Sequence, residues 1–446
     1  ISLHVRHYQG HWYKNQNLLT TVGEKPAPIA PSNAQQIRTQ ITQTPDLERL
    51  YRLYPGNNGL DWITPVERPS KYHHAVSQSR QNDANNGFGR YVCSPEEAQK
   101  QEDRIALRFR EWWSHSACPD QVWMESFPDL MRQASITPEE GKPLVVLDIG
   151  CNKGYTSADF MDLLTPHDGF NPRTLHQAIQ AVAKERNTKY ERDCGVCGDC
   201  TRPVNTDHKK TENVQVHCFE PSPATYEMLT NVKSRLARPN ARGEWIIHNK
   251  GLHNHSGILA WHTACKDAVG NELCKIVPEG TPGSIKVPVI TVDEFASKEL
   301  TQQPLIHMLK VDAEGLDPAV LKGAEKILKA KKAVMVMFEF NPGLRDKKPP
   351  YGMWGTEKGF TKLLDVTSWL DTLSYDCYLD SRVDGPKGVN APPLYRITGE
   401  CIRTDPRIMG WSNVICASRA FPSVAQALLD LSPMVGQDGT WGAAAA

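Results

Sequence analysis

The sequence predicts an α/β protein: an open, largely parallel sheet with helices on both faces. Three observations carry this. Apolar runs at 144–147, 214–219, 305–311 and 333–338 have the length and composition of buried parallel strands. Each ends in an acid or an acid-bearing turn: Asp148, Glu220, Asp312 and Glu339. Between them lie segments of helical spacing, so strand and helix alternate as βαβ units require.

The first strand runs Leu144-Val145-Val146-Leu147-Asp148-Ile149 into Gly150-Cys151-Asn152-Lys153-Gly154. Gly150 and Gly154 allow a sharp turn and a close approach of backbone to a ligand, where a Cβ would collide. The helix expected over 156–164 points its N-terminus at the same place. A dinucleotide fingerprint needs glycine where Asp148 stands, and a P-loop needs Gly-Lys-Ser/Thr in that order. An acid at the strand end suits a cationic, phosphate-free nucleoside such as S-adenosylmethionine.

The second strand ends in Phe219-Glu220-Pro221-Ser222-Pro223. A carboxylate there can accept both hydroxyls of a ribose. Pro221 fixes the turn and Ser222 or Thr225 caps a helix carrying Met228, Leu229 and Val232. A third strand is expected over 245–248, after which 249–251 line the adenine side. The next buried strand delivers Lys310, Asp312 and Glu314 together, followed by a helix with Val320, Leu321, Ala324, Ile327 and Leu328. A fourth buried strand ends at Glu339. Beyond it, 360–373 and 421–431 read as helices, and 375–379, 394–402 and 412–417 as strands, with an antiparallel partner closing the sheet. Loops 343–359 and 381–393, with Tyr351 and Trp354, suit an acceptor pocket.

Taken in order, Asp148-x-Gly150-x-Asn152-x-Gly154, Phe219 to Pro223, Thr291-Val292-Asp293-Glu294-Phe295, Leu309-Lys310-Val311-Asp312-Ala313-Glu314-Gly315, Val320 to Ala324 and Phe338-Glu339-Phe340 resemble the FkbM-type methyltransferases. The resemblance covers about residues 140–420. It implies a Rossmann-like class I methyltransferase sheet and methyl transfer from S-adenosylmethionine to a hydroxyl, often of a sugar or a natural product. On that reading Asp148, Gly150, Asn152, Gly154, Glu220, Pro221, Ser222, Asn249 and Gly251 bind cofactor. Asp312 is the first candidate base, Glu314 the second and His253 the third, with Lys310 holding the carboxylates ionised or orienting the acceptor. A divalent cation held by Asp312 and Glu339 is an alternative way of activating the hydroxyl. The competing class is a catalytically silent methyltransferase-fold protein that serves as an interaction or assembly component.

The remaining segments are read separately. Residues 1–95, rich in Gln, Asn, Pro and His, read as an extended arm that offers a surface to a protein partner. Residues 96–139 read as a helical extension, with Ile105, Phe109, Trp112 and Trp113 on one helix and Trp123, Phe127, Leu130 and Met131 on another. The core domain spans 140–420, with an insertion at 165–213, and 421–446 is a terminal helix and tail. Within the insertion, Cys194, Cys197 and Cys200 have a spacing that fits zinc, completed by His208 or Cys218; disulfides or free thiols are the alternatives. Cys401 and Cys416 lie on expected neighbouring strands, a placement that would allow them to pair. Lys plus Arg equals Asp plus Glu at 51 each, which gives no global field for nucleic acid, and none is expected as a partner. No window is long and apolar enough for a membrane span, so membrane association would require an anchor upstream of Ile1. The 12 cysteines and the first residue, Ile1, favour the secretory pathway (a Golgi lumen) or an organelle over the cytoplasm. Asn254-His255-Ser256 is an N-glycosylation sequon.

Overall fold

A computed structural model describes residues 90–111, 127, 131, 142–165, 169–188, 194, 200, 213–236, 243–262, 269–271, 274, 276–277, 279–282, 284–301, 305–340, 360, 362–380, 394–404, 406, 412–430 and 432. Its elements in chain order are α1 (Pro95–Glu111), β1 (Leu144–Ile149), α2 (Tyr155–Leu164), α3 (Pro172–Arg186), β2 (Val214–Phe219), α4 (Pro223–Leu236), β3 (Gly243–His248), β4 (Gly251–Leu252), β5 (Gly257–Trp261), β6 (Ile276–Val277) and β7 (Ile285–Ile290). There follow α5 (Val292–Glu299), β8 (Ile306–Val311), α6 (Asp317–Gly323), α7 (Glu325–Lys329), β9 (Ala333–Phe340), α8 (Leu363–Thr372), β10 (Tyr375–Leu379), β11 (Tyr395–Arg396), β12 (Ser412–Ser418) and α9 (Pro422–Asp430).

The fold is mixed α/β around an eight-stranded sheet in the order β11-β10-β12-β9-β8-β1-β2-β3. The five strands β3 to β9 in that order are parallel, and β12 runs antiparallel between β9 and β10. Every residue of β1 and β8 is buried, as expected for strands covered on both faces. The chain leaves β1 for β2 on one side and meets β8 on the other, so the turns after these three strands open at one end of the sheet, where the order reverses.

Two apolar layers cover the sheet. On one face α2, α3, α4 and α9 bury Phe160, Ile179, Leu229 and Leu428 with Val146, Val216 and Met308 of the strands. On the other, α5, α6 and α8 bury Phe295, Leu321 and Val366 with Leu147, Leu309 and Val336. Helix α3 lies within the stretch read as an insertion. Leu175, Ala178, Ile179 and Val182 form its buried face, and Asn171 and Thr174 cap it reciprocally, with Pro172 at its start. Only the part of that stretch beyond α3 carries the cysteines.

A second, four-stranded sheet, β4-β7-β5-β6, was not expected from the sequence. Three further expectations are corrected. The helix after β8 is broken into α6 and α7 at Gly323, where a Cβ would lie 2.1 Å from the His253 carbonyl oxygen. The strand expected over 394–402 shrinks to β11, because Gly399 and Glu400 take positive φ. Cys401 pairs with Cys93, and Cys416 pairs with Cys377 on the adjacent strand, so Cys401 and Cys416 do not join each other. Residues 1–89, Trp112, Trp113, Trp123, Leu130, the Phe109 side chain and the loops with Tyr351 and Trp354 lie outside the described residues. Phe127 and Met131 are helical and buried against the first layer.

Candidate active site

The site is built at the carboxyl ends of β1, β2 and β8. Asp148 is fully buried, and its two oxygens are held by Lys310 Nζ at 2.9 Å and by the Ser157 hydroxyl at 2.6 Å. Lys310 also approaches Asp312 Oδ2 at 3.4 Å and donates to the Gly150 carbonyl at 3.4 Å. Burial alone would lower the Lys310 pKa, but the charges of Asp148 and Asp312 outweigh it and hold the ammonium above the ordinary lysine range. One cation thus ties together two strand ends and the glycine turn. Of the two carboxylates, Asp148 is sealed in and Asp312 is 38% exposed, so Asp312 is the one open to solvent.

The glycine turn is pinned from both sides. Gly150 and Cys151 donate to the Phe219 carbonyl, Asp312 donates to that of Ile149, and the Cys151–Cys218 disulfide joins turn to β2. Packing alone already requires both glycines. Gly150 has φ 72°, and a Cβ there would lie 1.8 Å from the Asp312 carbonyl oxygen; at Gly154 (φ 82°) it would lie 2.8 Å from the Trp245 ring. Asn152 also takes positive φ, and its Oδ1 is buried with no hydrogen-bond partner among the described residues.

Glu220, 5% exposed, accepts from the backbone N–H of Ser222 at 2.7 Å. Burial pushes its pKa up to about 7, against the backbone N–H groups of Ser222 and Asn152 and the charges of Lys153 and Lys310. A carboxylate has about four acceptor positions, so two backbone bonds leave room for a diol. Asn249 Nδ2 donates to the Glu220 and Pro221 carbonyls, and Gly251 packs on Pro221 and Val289. Asp148, Gly150, Asn152, Glu220, Pro221, Ser222, Asn249, Gly251, Lys310 and Asp312 therefore meet at one end of the sheet. Glu314 sits in the turn after β8 with φ 53° and is half-buried.

His253 does not join them. Its backbone packs on Gly323 at the C-terminal end of α6, the end opposite the Asp312 turn, and its ring pairs with His255 at 3.1 Å. Burial and the neighbouring His255 push its pKa down to about 4.

The cysteine cluster is also corrected. Cys194 and Cys200 form a disulfide, which removes two of the three thiolates that zinc would need; Cys197 lies outside the described residues. Among the described residues, no group of three or more His, Cys, Asp or Glu converges as a metal site. At Asp312 the nearby cation is Lys310.

Two contributors escaped sequence reasoning. Lys153, buried within the turn, donates to the Gly270 carbonyl at 2.7 Å, and the Gly270 N–H donates to Thr225 at 3.1 Å. A Cβ on Gly270 would be 3.6 Å from Asn152 Oδ1, so this loop covers the turn. Asp317 is fully buried and accepts from the N–H groups of Gly315 and Glu339, binding the Asp312–Gly315 turn to β9. Burial first, and then the Asp312 charge, push its pKa up to about 7. A proline following an acid at a helix start was the available signal for Asp317; nothing local marks Lys153. A cavity of ≈ 620 Å³ lies elsewhere, lined by Arg90, Asp371, Gly399 and Arg403. Both of its arginines are paired, Arg90 to Asp371 and Arg403 to Glu102.

Residues 193–377 match the Methyltransferase FkbM domain, a span that runs from the cysteine cluster to β10 and begins after the glycine turn. The chain is 31% identical over 132 residues to the hexuronic acid methyltransferase AglP of Haloferax volcanii, a match covering 30% of this chain and 49% of that protein. It thus spans about half the length of this curated relative. A crystal structure of Methyltransferase FkbM from Methylobacillus flagellatus aligns with a TM-score of 0.30 and 14% identity over 71% of this chain and 60% of its own.

Proposed function

We propose that this chain, which carries an FkbM-type methyltransferase domain, transfers a methyl group from S-adenosylmethionine to a hydroxyl of a sugar. The observation that carries the reading is the convergence of Asp148, Lys310 and Asp312 with Glu220 and Asn152 at neighbouring parallel strand ends. On this reading the large sheet, with antiparallel β12 inserted beside β9, is a Rossmann-like class I methyltransferase sheet. The residues fit the cofactor. The unpartnered Asn152 Oδ1 offers an acceptor, Glu220 has acceptor positions left for the ribose hydroxyls, and Asp148 acts through the turn that Lys310 braces. Sugar as acceptor class is supported by the hexuronic acid methyltransferase relative; a natural-product hydroxyl is the other acceptor.

The bound cofactor supplies an electrophilic methyl on a sulfonium that leaves as a neutral thioether. The protein's part is to align the acceptor oxygen behind that methyl and to take its proton. Asp312 is the proposed proton acceptor, a reading supported by its partial exposure and its contact with Lys310. Glu314 and the turn around it shape the approach. Replacing Asp312 by Asn is expected to lower turnover about 10²–10⁴-fold while S-adenosylhomocysteine affinity changes little. Transfer of labelled methyl groups to a panel of free and glycosidic sugars, hexuronic acids included, measures this. Undiminished turnover would remove Asp312 from the base role. Failure to methylate any sugar by protein that binds the cofactor would remove the acceptor class.

The proposed compartment is an oxidising one, a secretory-pathway or organelle lumen. It is supported by the cysteines: every described one is disulfide-bonded, including the fully buried Cys218, Cys377, Cys401 and Cys416.

A further inference from the structure

We propose that Asn254 is a glycosylation site of this chain, carrying one N-linked oligosaccharide. Asn254-His255-Ser256 is the only Asn-x-Ser/Thr sequence in the 446 residues. It forms the connection between β4 and β5, and all three of its residues are exposed. Carbohydrate attached here projects into solvent without displacing any part of the core.

The neighbouring surface gives the glycan something to cover. Ile258, four residues on, is 60% exposed, the more exposed of two large apolar side chains so presented among the described residues. It stands on β5, which pairs with β7 along its whole length but with β6 only at Ala260 and Trp261. Among the described residues the edge of Gly257 to Leu259 opposite β7 has no strand partner. An exposed apolar residue on an open strand edge invites pairing with another chain, and a bulky polar group beside it blocks that approach.

The site also leaves the candidate active site clear. The Asn254 backbone packs at Gly323, at the end of α6 away from the Asp312 turn. The disulfides are independent support, since a chain oxidised in the secretory lumen passes through the compartment where sequons are modified. In the transfer, Asn254 Nδ2 attacks the anomeric carbon of a lipid-pyrophosphate-linked oligosaccharide. The bond from that carbon to the pyrophosphate oxygen breaks, its electron pair stays on the lipid pyrophosphate, and the amide nitrogen loses one proton to a base of the glycosyl-transferring enzyme.

The test is secretion of the full chain from insect cells behind a removable leader, followed by intact mass measurement and peptide mapping. The expected result is one glycan, located at Asn254, removed by peptide N-glycosidase with conversion of that residue to Asp, and absent from Asn254→Gln. Ser256→Thr, which improves the acceptor sequence, is expected to raise occupancy. Secreted, disulfide-bonded protein with unmodified Asn254 in both the parent chain and Ser256→Thr would overturn the proposal. Neither result bears on methyl transfer.

Discussion

Replacing Lys310 by Met is expected to lower the free energy of unfolding by about 3–5 kcal/mol, the cost of leaving one member of a buried ion pair alone. Lys310 and Asp148 are 4% and 0% exposed, and Asp148 also accepts a hydrogen bond from the Ser157 hydroxyl. Without the ammonium, Asp148 must either remain charged in an apolar layer or take up a proton on folding. The double variant Lys310→Met/Asp148→Asn removes both charges and is expected to recover much of the loss. Urea denaturation followed by circular dichroism reads both. A loss below about 1 kcal/mol in the single variant would mean that the pair behaves as a surface ion pair.

The pH dependence of this contribution has a definite sign. The folded pKa of Lys310 is raised, so its stabilisation is fully present below the unfolded lysine value of about 10.4. It is lost only as pH rises through the folded value, which lies higher still. Around neutral pH the penalty in Lys310→Met should therefore not come from titration of the lysine.

The second large effect is expected at Gly150. Gly150→Ala is predicted to destabilise by more than about 3 kcal/mol and to abolish cofactor binding in whatever folds. Two costs combine. A left-handed φ of 72° is unfavourable for any L-residue with a Cβ, and that Cβ would sit 1.8 Å from a backbone oxygen of Asp312. Backbone cannot swing away as a side-chain end can, so the β1 and β8 turns must separate. Gly280→Ala isolates the first cost, since Gly280 has φ 81° but open space around its Cβ position; its loss is expected to stay near 1–2 kcal/mol, roughly the left-handed penalty alone. Equal losses at the two positions would contradict the steric account.

The contrast between these glycines marks where the sequence was legible. The strand ends of β1, β2, β8 and β9 could be read directly, because an apolar run closed by an acid has few other uses in an α/β chain. Asp148, Glu220 and Asp312 followed from them. The division of labour among them did not, because Asp148 and Asp312 look alike until Lys310 is seen to bury one and leave the other exposed. Gly150 and Gly154 are legible as turn residues, but what fills the space beside them, Asp312 just beyond β8 and Trp245 of β3, is distant in sequence. Helix α3 carried a full signal, with Asn171-Pro172 at its start and four apolar residues at helical spacing; the neighbouring cysteines drew attention from it. The small sheet was hidden because β4 and β6 are two residues long and β7 contains a proline. Cysteine pairing such as Cys93 with Cys401, 308 residues apart, is not encoded locally at all.

The central claim is that Glu220 and the turn beside it receive an S-adenosyl nucleoside. Calorimetric titration with S-adenosylhomocysteine at about pH 6 and about pH 8, on either side of the Glu220 pKa of about 7, tests it most directly. Raised by burial, Glu220 is protonated below that value and must lose the proton to accept both ribose hydroxyls. Affinity should therefore strengthen with rising pH, by up to about tenfold per unit below neutrality, and level off above it. Glu220→Gln should bind weakly and lose this dependence. Failure of the folded protein to bind at either pH, or binding that Glu220→Gln leaves unchanged, would contradict the account and leave a mixed α/β protein whose strand-end carboxylates serve only its architecture.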